Sequence, residues 1–461
     1  MASALHGVCL AVMWLAIIGA PARRVQQGPS SSRARRSMVF RAEYGVVQVE
    51  TQVGPEFPFR KDSLFIGELN HSPCGLLTKD FAGALTYTTV HTKSRRVVRT
   101  QPVPGPKSMR ANGAGALLGP RGGRAIVLSD VNGYRVFHAE VGSSSMAPLG
   151  NCSIPNSVTD GAVPVPGTFH MMFAGWTTSG LVGTVDLAPA RLSALPLGAQ
   201  CSTEEVAIAL PAECEPVDDQ EGSMSAAWVV HPLSVSWAIL ECRRRREWPK
   251  GPSELGGLFL SRWRSGAPGL GLEAWDFPVD HVAASPTRGG GLVLAHSNLK
   301  KIGPLGLQLF RVSLPANDTA SGDTAVPHVA RASSSWGEFA QCYPPDCSFA
   351  PDPPARAYDI GDGGSTGRFA VTFTRLLLGV RQNCLAIIDW SDGTGFSWRL
   401  YAFEGDADKQ RVVKVVRSGR RNKLMIELVH KIRLAPHGYR FSPAAMFRAR
   451  LLGGLSLTPA I

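Results

Sequence analysis

Residues 384–403 read CLAIIDWSDGTGFSWRLYAF, in which a short polar segment separates two apolar runs. Both runs are too short for an ordinary helix, and they are rich in aliphatic and aromatic residues, as strands are. The intervening residues 391–395 supply two glycines and an aspartate, which tolerate the backbone angles of a tight turn. The stretch therefore predicts an antiparallel β-hairpin.

Runs of the same kind occur along the chain from about residue 43, and none sustains a 3.6-residue helical period over three turns. A second tight turn, Asp-Val-Asn-Gly, is found at 130–133. So many hairpin-like units exceed the needs of a simple β-sandwich, which is the alternative, and favour an all-β propeller with antiparallel blades. The clearest runs are 124–128, 134–141, 168–176, 181–187, 226–231, 235–242, 258–263, 291–296, 307–314, 369–375, 384–390 and 398–403.

The composition suits short strands joined by turns. The 461 residues include 49 Gly and 34 Pro, and only 18% are charged. The formal charge is +12, but the first 36 residues hold five of the arginines and no acid; without them 43 basic residues face 36 acidic ones, or +7. A mild positive excess favours anionic partners such as acidic glycans or membrane surfaces. Because this excess is spread along the chain and does not form one basic helix, it argues against nucleic-acid binding.

The N-terminal segment has the features of a signal peptide. An apolar run at 8–20 is followed by the small residues Ala20-Pro21-Ala22, so residues 1–22 are expected to be removed during export. Residues 23–42 are basic and Ser-rich, and Arg33-Ala34-Arg35-Arg36 resembles a furin-type processing site; a plain basic tail is the alternative. No later run is long enough to span a membrane, so a secreted or lumenal protein is expected.

Residues 43–461 are predicted to form one propeller domain. Its Pro-, Gly- and Ser-rich region 316–354 reads as loop insertions between strands. The basic C-terminal segment 411–461 either closes the last blade by pairing with an early strand or forms a separate tail.

The cysteines and sequons agree with export. Outside the signal lie eight cysteines, a number compatible with four disulfides, and Cys342 and Cys347 are the favoured local pair. Asn70, Asn151 and Asn317 stand in glycosylation sequons. No metal or cofactor is expected, because the histidines lack ligand spacing and the Gly-rich stretch 113–119 lacks the dinucleotide-binding spacing.

Residues 391–398 resemble the Asp-box of sialidases and related repeat proteins, a Ser-x-Asp-x-Gly-x-Thr-Trp hairpin turn. Ser391, Gly395, Ser397 and Trp398 match, whereas the aspartate stands one place early. The order of segments from 226 to 401 is also similar to the later blades of this superfamily. The resemblance implies a six-bladed propeller, and the box itself indicates fold and not catalysis.

The resemblance also implies a site for terminal sialic acid. Family members use a Tyr nucleophile, a Glu that takes its proton, an Asp acid/base and three Arg that clamp the sugar carboxylate. By position Tyr358 is the nucleophile candidate, Glu241 its base and Arg243 a clamp member, while Arg60 and Asp80 match the first-blade Arg and the acid/base. The ordinary alternatives are a packed or loop tyrosine, an edge-strand glutamate and solvated or paired arginines.

Three functions follow as hypotheses. The first is a sialidase-like glycoside hydrolase that removes terminal sialic acid or a related acidic sugar from glycoconjugates. The second is a non-catalytic propeller that binds glycans or a protein partner at the cell surface; it is favoured because Lys300-Lys301 stands where the family often has Arg. The third is a structural cell-surface protein.

Overall fold

The computed structural model describes, with gaps, residues between 45 and 458: thirty strands, one short helix and some of their connections. The described strands all belong to one compact unit, Glu43–Ile461. The expected signal peptide and processing segment, together with Asn70 and Asn317, lie outside the described residues. Asn151 lies in a strand, Pro148–Cys152.

The first five antiparallel sheets follow one another along the chain and are called blades 1 to 5 here. Blade 1 comprises β2 (Cys74–Lys79), β3 (Leu85–His91) and β4 (Arg96–Val103); blade 2 comprises β5 (Gly115–Leu118), β6 (Ala125–Asp130), β7 (Gly133–His138) and β8 (Pro148–Cys152). Blade 3 comprises β9 (Val163–Pro164), β10 (His170–Gly175), β11 (Leu181–Asp186) and β12 (Ser202–Ala207); blade 4 comprises β13 (Ala226–Pro232), β14 (Trp237–Arg246), β15 (Ser253–Arg262) and β16 (Leu270–Trp275). Blade 5 comprises β17 (His281–Thr287), β18 (Gly290–His296), β19 (Gly306–Ser313) and β20 (His328–Ser335).

The remaining strands form one large sheet that contains two further blades. Blade 6 comprises β21 (Cys347–Ala350) and β22 (Arg356–Asp359), which both pair with β23 (Arg368–Leu377), followed by β24 (Val380–Asp389) and β25 (Ser397–Phe403). Blade 7 comprises β26 (Gln410–Arg417), β27 (Lys423–Leu434), β29 (Ala445–Leu452) and the N-terminal β1 (Gly45–Gln52). Two short strands, β28 (Gly438–Phe441) and β30 (Leu455–Leu457), pair with β27 and β25.

The protein is an all-β propeller with antiparallel blades, because one inner strand of each of blades 2 to 7 contacts that of the next blade: β5 with β9, β9 with β13, β13 with β17, β17 with β22 and β22 with β26. The described strands form seven blades, so the number of six implied by the sialidase resemblance is not confirmed.

The N-terminal strand closes blade 7. Val47 pairs with Leu451 in the antiparallel ladder between β1 and β29, and Gly45 pairs with Tyr401 in the parallel one between β1 and β25. Of the two alternatives for the C-terminal segment, the structure therefore has the first, in which this segment completes the last blade with an early strand.

Neighbouring blades pack through alternate residues of their strands. In β18, Val293 and Ala295 face blade 4, whereas Leu292 and Leu294 face blade 6. This is the two-residue period of a strand applied to a sheet that is covered on both sides. All seven residues of β18 are buried for this reason, whereas the outer strand β20 is largely accessible.

Contrary to the prediction of loop insertions at 316–354, the described part of this region includes regular secondary structure. It contains β20, the helix α1 (Trp336–Ala340) and β21. The strand was missed because an outer strand needs no apolar alternation, and β20 reads HVARASSS. The helix begins with a capping box, in which the Ser335 side chain accepts from the Glu338 backbone N–H and the Glu338 carboxylate accepts from that of Ser335.

Two predicted hairpins are confirmed by strand pairing. Asp130 pairs with Gly133 across the first, and Asp389 pairs with Ser397 across the second. In the second turn the N–H of Gly395 donates to the carbonyl of Ser391 at 3.1 Å, and Gly395 has a φ of 84°, which glycine adopts without strain. Glycine is therefore required in this turn for its backbone conformation.

The structure confirms the favoured cysteine pair, and it shows another cysteine outside any disulfide. Cys342 and Cys347 form a disulfide with Cα atoms 4.9 Å apart. Cys384 is a free, buried thiol on β24, so the eight cysteines do not all pair. It points into the apolar core between blades 5 and 6, where a small thiol packs as a hydrophobic side chain.

Within the described ranges, no helix is both long and apolar enough to cross a membrane.

Candidate functional site

Three of the five site residues predicted from the sialidase resemblance lie in described strands. Glu241 and Arg243 are on β14 and Tyr358 is on β22. Arg60 and Asp80 lie outside the described residues. Glu241 is not an edge-strand acid, since β14 lies between β13 and β15 in blade 4.

Glu241 is buried and forms a hydrogen bond with a histidine of the neighbouring strand. Its Oε2 lies 3.0 Å from Nε2 of His231, and the two side chains are 2% and 15% exposed. Val229 pairs with Glu241 and Ile239 with His231, so the partners lie diagonally across the β13–β14 ladder. A buried carboxylate in this position orients the imidazole and favours its proton on Nε2.

His281, the first residue of β17, joins blades 5 and 6. Its Nε2 donates to the carbonyl oxygen of Ala357 on β22 at 2.9 Å. Burial lowers the pKa of His281; the hydrogen bond to Ala357 opposes this, Arg356 and His231 lower the pKa further, and Glu241 raises it. We call His231, Glu241, His281, His296 and Arg356 the inner-strand cluster, since three of them lie on the inner strands β13, β17 and β22 and the other two lie on the adjacent strands β14 and β18.

His296 completes this cluster from the second strand of blade 5. It pairs with His281 in the β17–β18 ladder, and the two rings are 5.4 Å apart. Its other neighbour is Trp336, whose ring is edge-on at 5.6 Å. Neither ring nitrogen of His296 has a hydrogen-bond partner among the described residues, and burial lowers its pKa well below the ordinary value. His296 is thus held in the neutral form.

Tyr358 lies on a different interface between blades. Its ring is partly buried and packs against the core between blades 6 and 7, which includes Val47 and Ile360. Glu241 follows Trp237 and Ile239 at two-residue intervals, and those side chains belong to the core between blades 4 and 5. The proposed nucleophile and base therefore have different neighbours, and the catalytic roles of both residues stay predictions.

A pocket of about 320 Å³ lies at the opposite end of β17 from His281. Two arginines, Arg288 and Arg311, and Trp390 are among the residues that line it. We call it the arginine–tryptophan pocket. Its remaining lining includes the hydroxyl residues Thr287 and Ser313, Leu292 and Val312, and the glycines Gly289, Gly291 and Gly367.

Backbone contacts between blades 5 and 6 hold the walls of this pocket. The N–H of Arg288 donates to the carbonyl of Gly364 at 3.0 Å, and the buried hydroxyl of Ser285 accepts from the N–H of Arg368 at 3.0 Å. The Arg368 guanidinium in turn forms a short ion pair with Asp389, the residue before Trp390. The positions of the indole and of the Arg288 turn are therefore fixed relative to each other.

At two glycines of the pocket, neighbouring atoms leave no space for a side chain. A Cβ at Gly367 would lie 2.8 Å from the carbonyl oxygen of Ser285, and one at Gly291 would lie 2.8 Å from a methyl carbon of Leu233. Sequence reasoning missed this pocket because Arg288, Arg311 and Trp390 come from three separate turns and strands. The available signal was the Arg-Gly-Gly-Gly run at 288–291.

The described residues do not bring three or more His, Cys, Asp or Glu side chains together in a way that could hold a metal ion. The charged residues that line the arginine–tryptophan pocket are both arginines, whose side chains donate hydrogen bonds and accept none. Such a lining suits an anionic ligand.

Solved structures similar to this chain are β-propellers of low sequence identity. The β-propeller domain of Cps50 (Swd1) from Myceliophteria thermophila is 11% identical with a TM-score of 0.45, and the match covers 88% of this chain and 99% of that one. Sqt1 from Chaetomium thermophilum is 14% identical with a TM-score of 0.42, covering 88% and 100%. The β-propeller domain of the Trilobed protease from Pyrococcus furiosus is 10% identical with a TM-score of 0.40, covering 90% and 98%. No protein-family model and no curated protein matches the chain.

Proposed function

We propose that this protein binds acidic sugars, such as terminal sialic acid, in the arginine–tryptophan pocket. The observation that carries the proposal is the position of Arg288 and Arg311 in one pocket with the indole of Trp390. Planar guanidinium groups bind carboxylates through paired hydrogen bonds, and an indole packs against the apolar face of a sugar ring. The volume of about 320 Å³ is at the lower end of the range for small-ligand sites, which fits one sugar residue.

The polar lining supports a sugar over a simple inorganic anion. Thr287 and Ser313 add hydroxyl groups that can donate to or accept from sugar hydroxyls. Leu292, Val312 and Trp390 add an apolar wall that an inorganic ion would not use. The net positive charge of the chain would also favour encounter with anionic glycans.

The proposal is tested by titrating the purified protein with 3′-sialyllactose and with lactose, which lacks the carboxylate. We expect binding of the first and at least tenfold weaker binding of the second, because a charge-assisted hydrogen bond contributes about 1.5–3 kcal/mol. Arg288→Ala and Trp390→Ala should each weaken binding. Arg381→Ala is the matched control, since Arg381 lies at the other end of the strand that leads to Trp390.

Equal binding of the two sugars, or unchanged binding by Arg288→Ala and Arg311→Ala, would remove the pocket from consideration. A folded parent that binds neither sugar would reject the proposed function itself.

A second candidate is hydrolysis of sialic acid glycosides by a sialidase-type mechanism. It is favoured by one observation, the buried Glu241 carboxylate in a hydrogen bond with His231, which forms a pair able to hold and transfer a proton. We place it second because Tyr358 packs between blades 6 and 7. The test is release of a fluorogenic aglycone from a sialoside across a pH series by the parent, Tyr358→Phe and Glu241→Gln. Binding without release would leave the non-catalytic function.

A further inference from the structure

The turn of the hairpin between β23 and β24 extends beyond both strands that flank the hairpin. Leu377 pairs with Val380 across a two-residue turn, Leu378-Gly379, and the last pair of β24 with β25 is Cys384 with Ala402, so residues 378–383 extend past β25. On the other side β21 runs along β23 as far as the pair of Cys347 with Leu377, and the turn extends past it. We call residues 376–381 the apolar tip.

The apolar tip exposes aliphatic side chains that the rest of the described chain mostly buries. Leu378 in the turn is 76% exposed, and Val380, the first residue of β24, is 68% exposed. The other exposed large apolar side chains among the described residues are Val326 and Leu452, which lie elsewhere in the chain. An isolated exposed aliphatic residue is ordinary, whereas two of them separated by one residue at a hairpin turn concentrate apolar surface in one place.

The backbone conformation at position 378 is also unfavourable for a leucine. Its φ is 51° and that of the following Gly379 is 80°, the left-handed angles of a tight hairpin turn. Glycine, asparagine and aspartate adopt these angles readily, whereas leucine does so with strain. The same residue is thus unfavourable both in its exposure and in its conformation, which folding stability alone does not explain.

One exposed cationic side chain borders the apolar tip. Arg381 follows Val380 directly, and residues 376–381 contain no acidic residue. We propose that the apolar tip inserts Leu378 and Val380 into the surface of a membrane that contains anionic phospholipids, with Arg381 at the level of the headgroups. Aliphatic side chains bordered by a basic one match the layered polarity of that surface.

The shape of the tip favours a membrane over a protein surface. A two-residue hairpin turn is narrow and convex, so a flat protein surface would cover little of it. A fluid bilayer closes around such a point without a preformed cavity. The proposal is independent of sugar binding, because the arginine–tryptophan pocket lies at the opposite ends of β23 and β24, near Gly367 and Trp390.

The test is flotation of the purified protein with vesicles of phosphatidylcholine alone and of phosphatidylcholine with phosphatidylglycerol. We expect binding to the anionic vesicles that weakens with salt, and at least a tenfold loss in the double variant Leu378→Gly, Val380→Gln. Val326→Gln is the matched control, since Val326 is 80% exposed and lies outside the tip. It should bind as the parent does.

Leu378→Gly alone separates a membrane function from a folding role. Since glycine relieves the strained φ, the variant should melt at a higher temperature than the parent while it binds vesicles less well. A parent that does not float with anionic vesicles, or a double variant that floats as well as the parent, overturns the proposal. So does a concentration-dependent dimer of the parent that the double variant loses, because the tip would then contact a second copy.

Discussion

The Nε2 of His281 lies 2.9 Å from the carbonyl oxygen of Ala357, and this hydrogen bond joins β17 of blade 5 to β22 of blade 6. The same two blades are joined by the bond from the Arg368 N–H to the Ser285 hydroxyl and, next to the arginine–tryptophan pocket, by that from Arg288 to Gly364. Two contacts along the seven-residue strand β17 and one from the turn that follows it therefore fix blade 6 against blade 5 and support the pocket.

We expect His281→Phe to destabilise this junction. The ring is kept in size, but the donor to Ala357 is lost, so the free energy of unfolding should fall by about 1–3 kcal/mol. His328→Phe is the control, because His328 is an exposed histidine on the outer strand of the same blade. Chemical denaturation of the parent and the two variants measures the difference. Equal losses in both variants would mean that the hydrogen bond contributes nothing particular.

The stability of the protein should depend on pH through His281 and His296. Burial lowers the pKa of both imidazoles from the ordinary value of 6.5, and His296 is the more strongly affected. As the pH falls below 6.5, the unfolded chain therefore binds protons before the folded chain does. The stabilisation is fully present above pH 6.5 and is lost as the pH falls towards the folded pKa values, by at most about 1.4 kcal/mol per pH unit for each histidine.

His296→Leu tests the larger part of this dependence. The leucine removes the titrating group without breaking a hydrogen bond, since the His296 nitrogens have no partner among the described residues. Unfolding free energies measured between pH 7.5 and pH 5 should decline less steeply in the variant than in the parent. An unchanged slope would assign the acid sensitivity to other groups.

Sequence patterns predicted the part of the fold that depends on local chemistry. The turn residues near Gly395 and Gly133 predicted hairpins that the structure contains, and the spacing of Cys342 and Cys347 predicted their disulfide. Blade number was not predictable in this way, because β1 and β29 are nearly four hundred residues apart and their pairing closes the ring.

The candidate site was less predictable than the fold. A side chain on a strand faces one of two neighbouring blades according to its place in the two-residue alternation, and Tyr358 and Glu241 face different interfaces for this reason. The arginine–tryptophan pocket depends on loops that only the packing of blades 5 and 6 brings together. No local pattern joins Arg311 to Trp390.

Cys384 should be unreactive in the folded protein. Burial raises the pKa of its thiol to about 12, even though Arg375 lowers it in part. The thiolate is the reactive form, so iodoacetamide at pH 8 should leave Cys384 unmodified until the chain is unfolded. Peptide mapping by mass spectrometry measures this with and without denaturant. Rapid modification of the native protein would contradict the buried position.

The buried guanidinium of Arg375 should couple strongly to Gln382. Arg375 is fully buried; its Nε and one terminal nitrogen donate to Oε1 of Gln382 at 3.0 and 2.7 Å, and the other donates to the carbonyl of Ala340 at 3.0 Å. Ala340 is the last residue of α1, where a cation also interacts favourably with the carbonyl end of a helix. One side chain thus links β23, β24 and the helix.

We expect Gln382→Leu to lower the free energy of unfolding by about 2–3 kcal/mol, because it removes the acceptor of two charge-assisted hydrogen bonds and leaves the guanidinium buried. In an Arg375→Met background the same substitution should be much less harmful, since no buried charge then needs the amide. A double-mutant cycle from denaturation midpoints measures the coupling. If the two substitutions prove additive, the amide does not stabilise the guanidinium, and the Arg375 bond to Ala340 links the hairpin to α1 without help from Gln382.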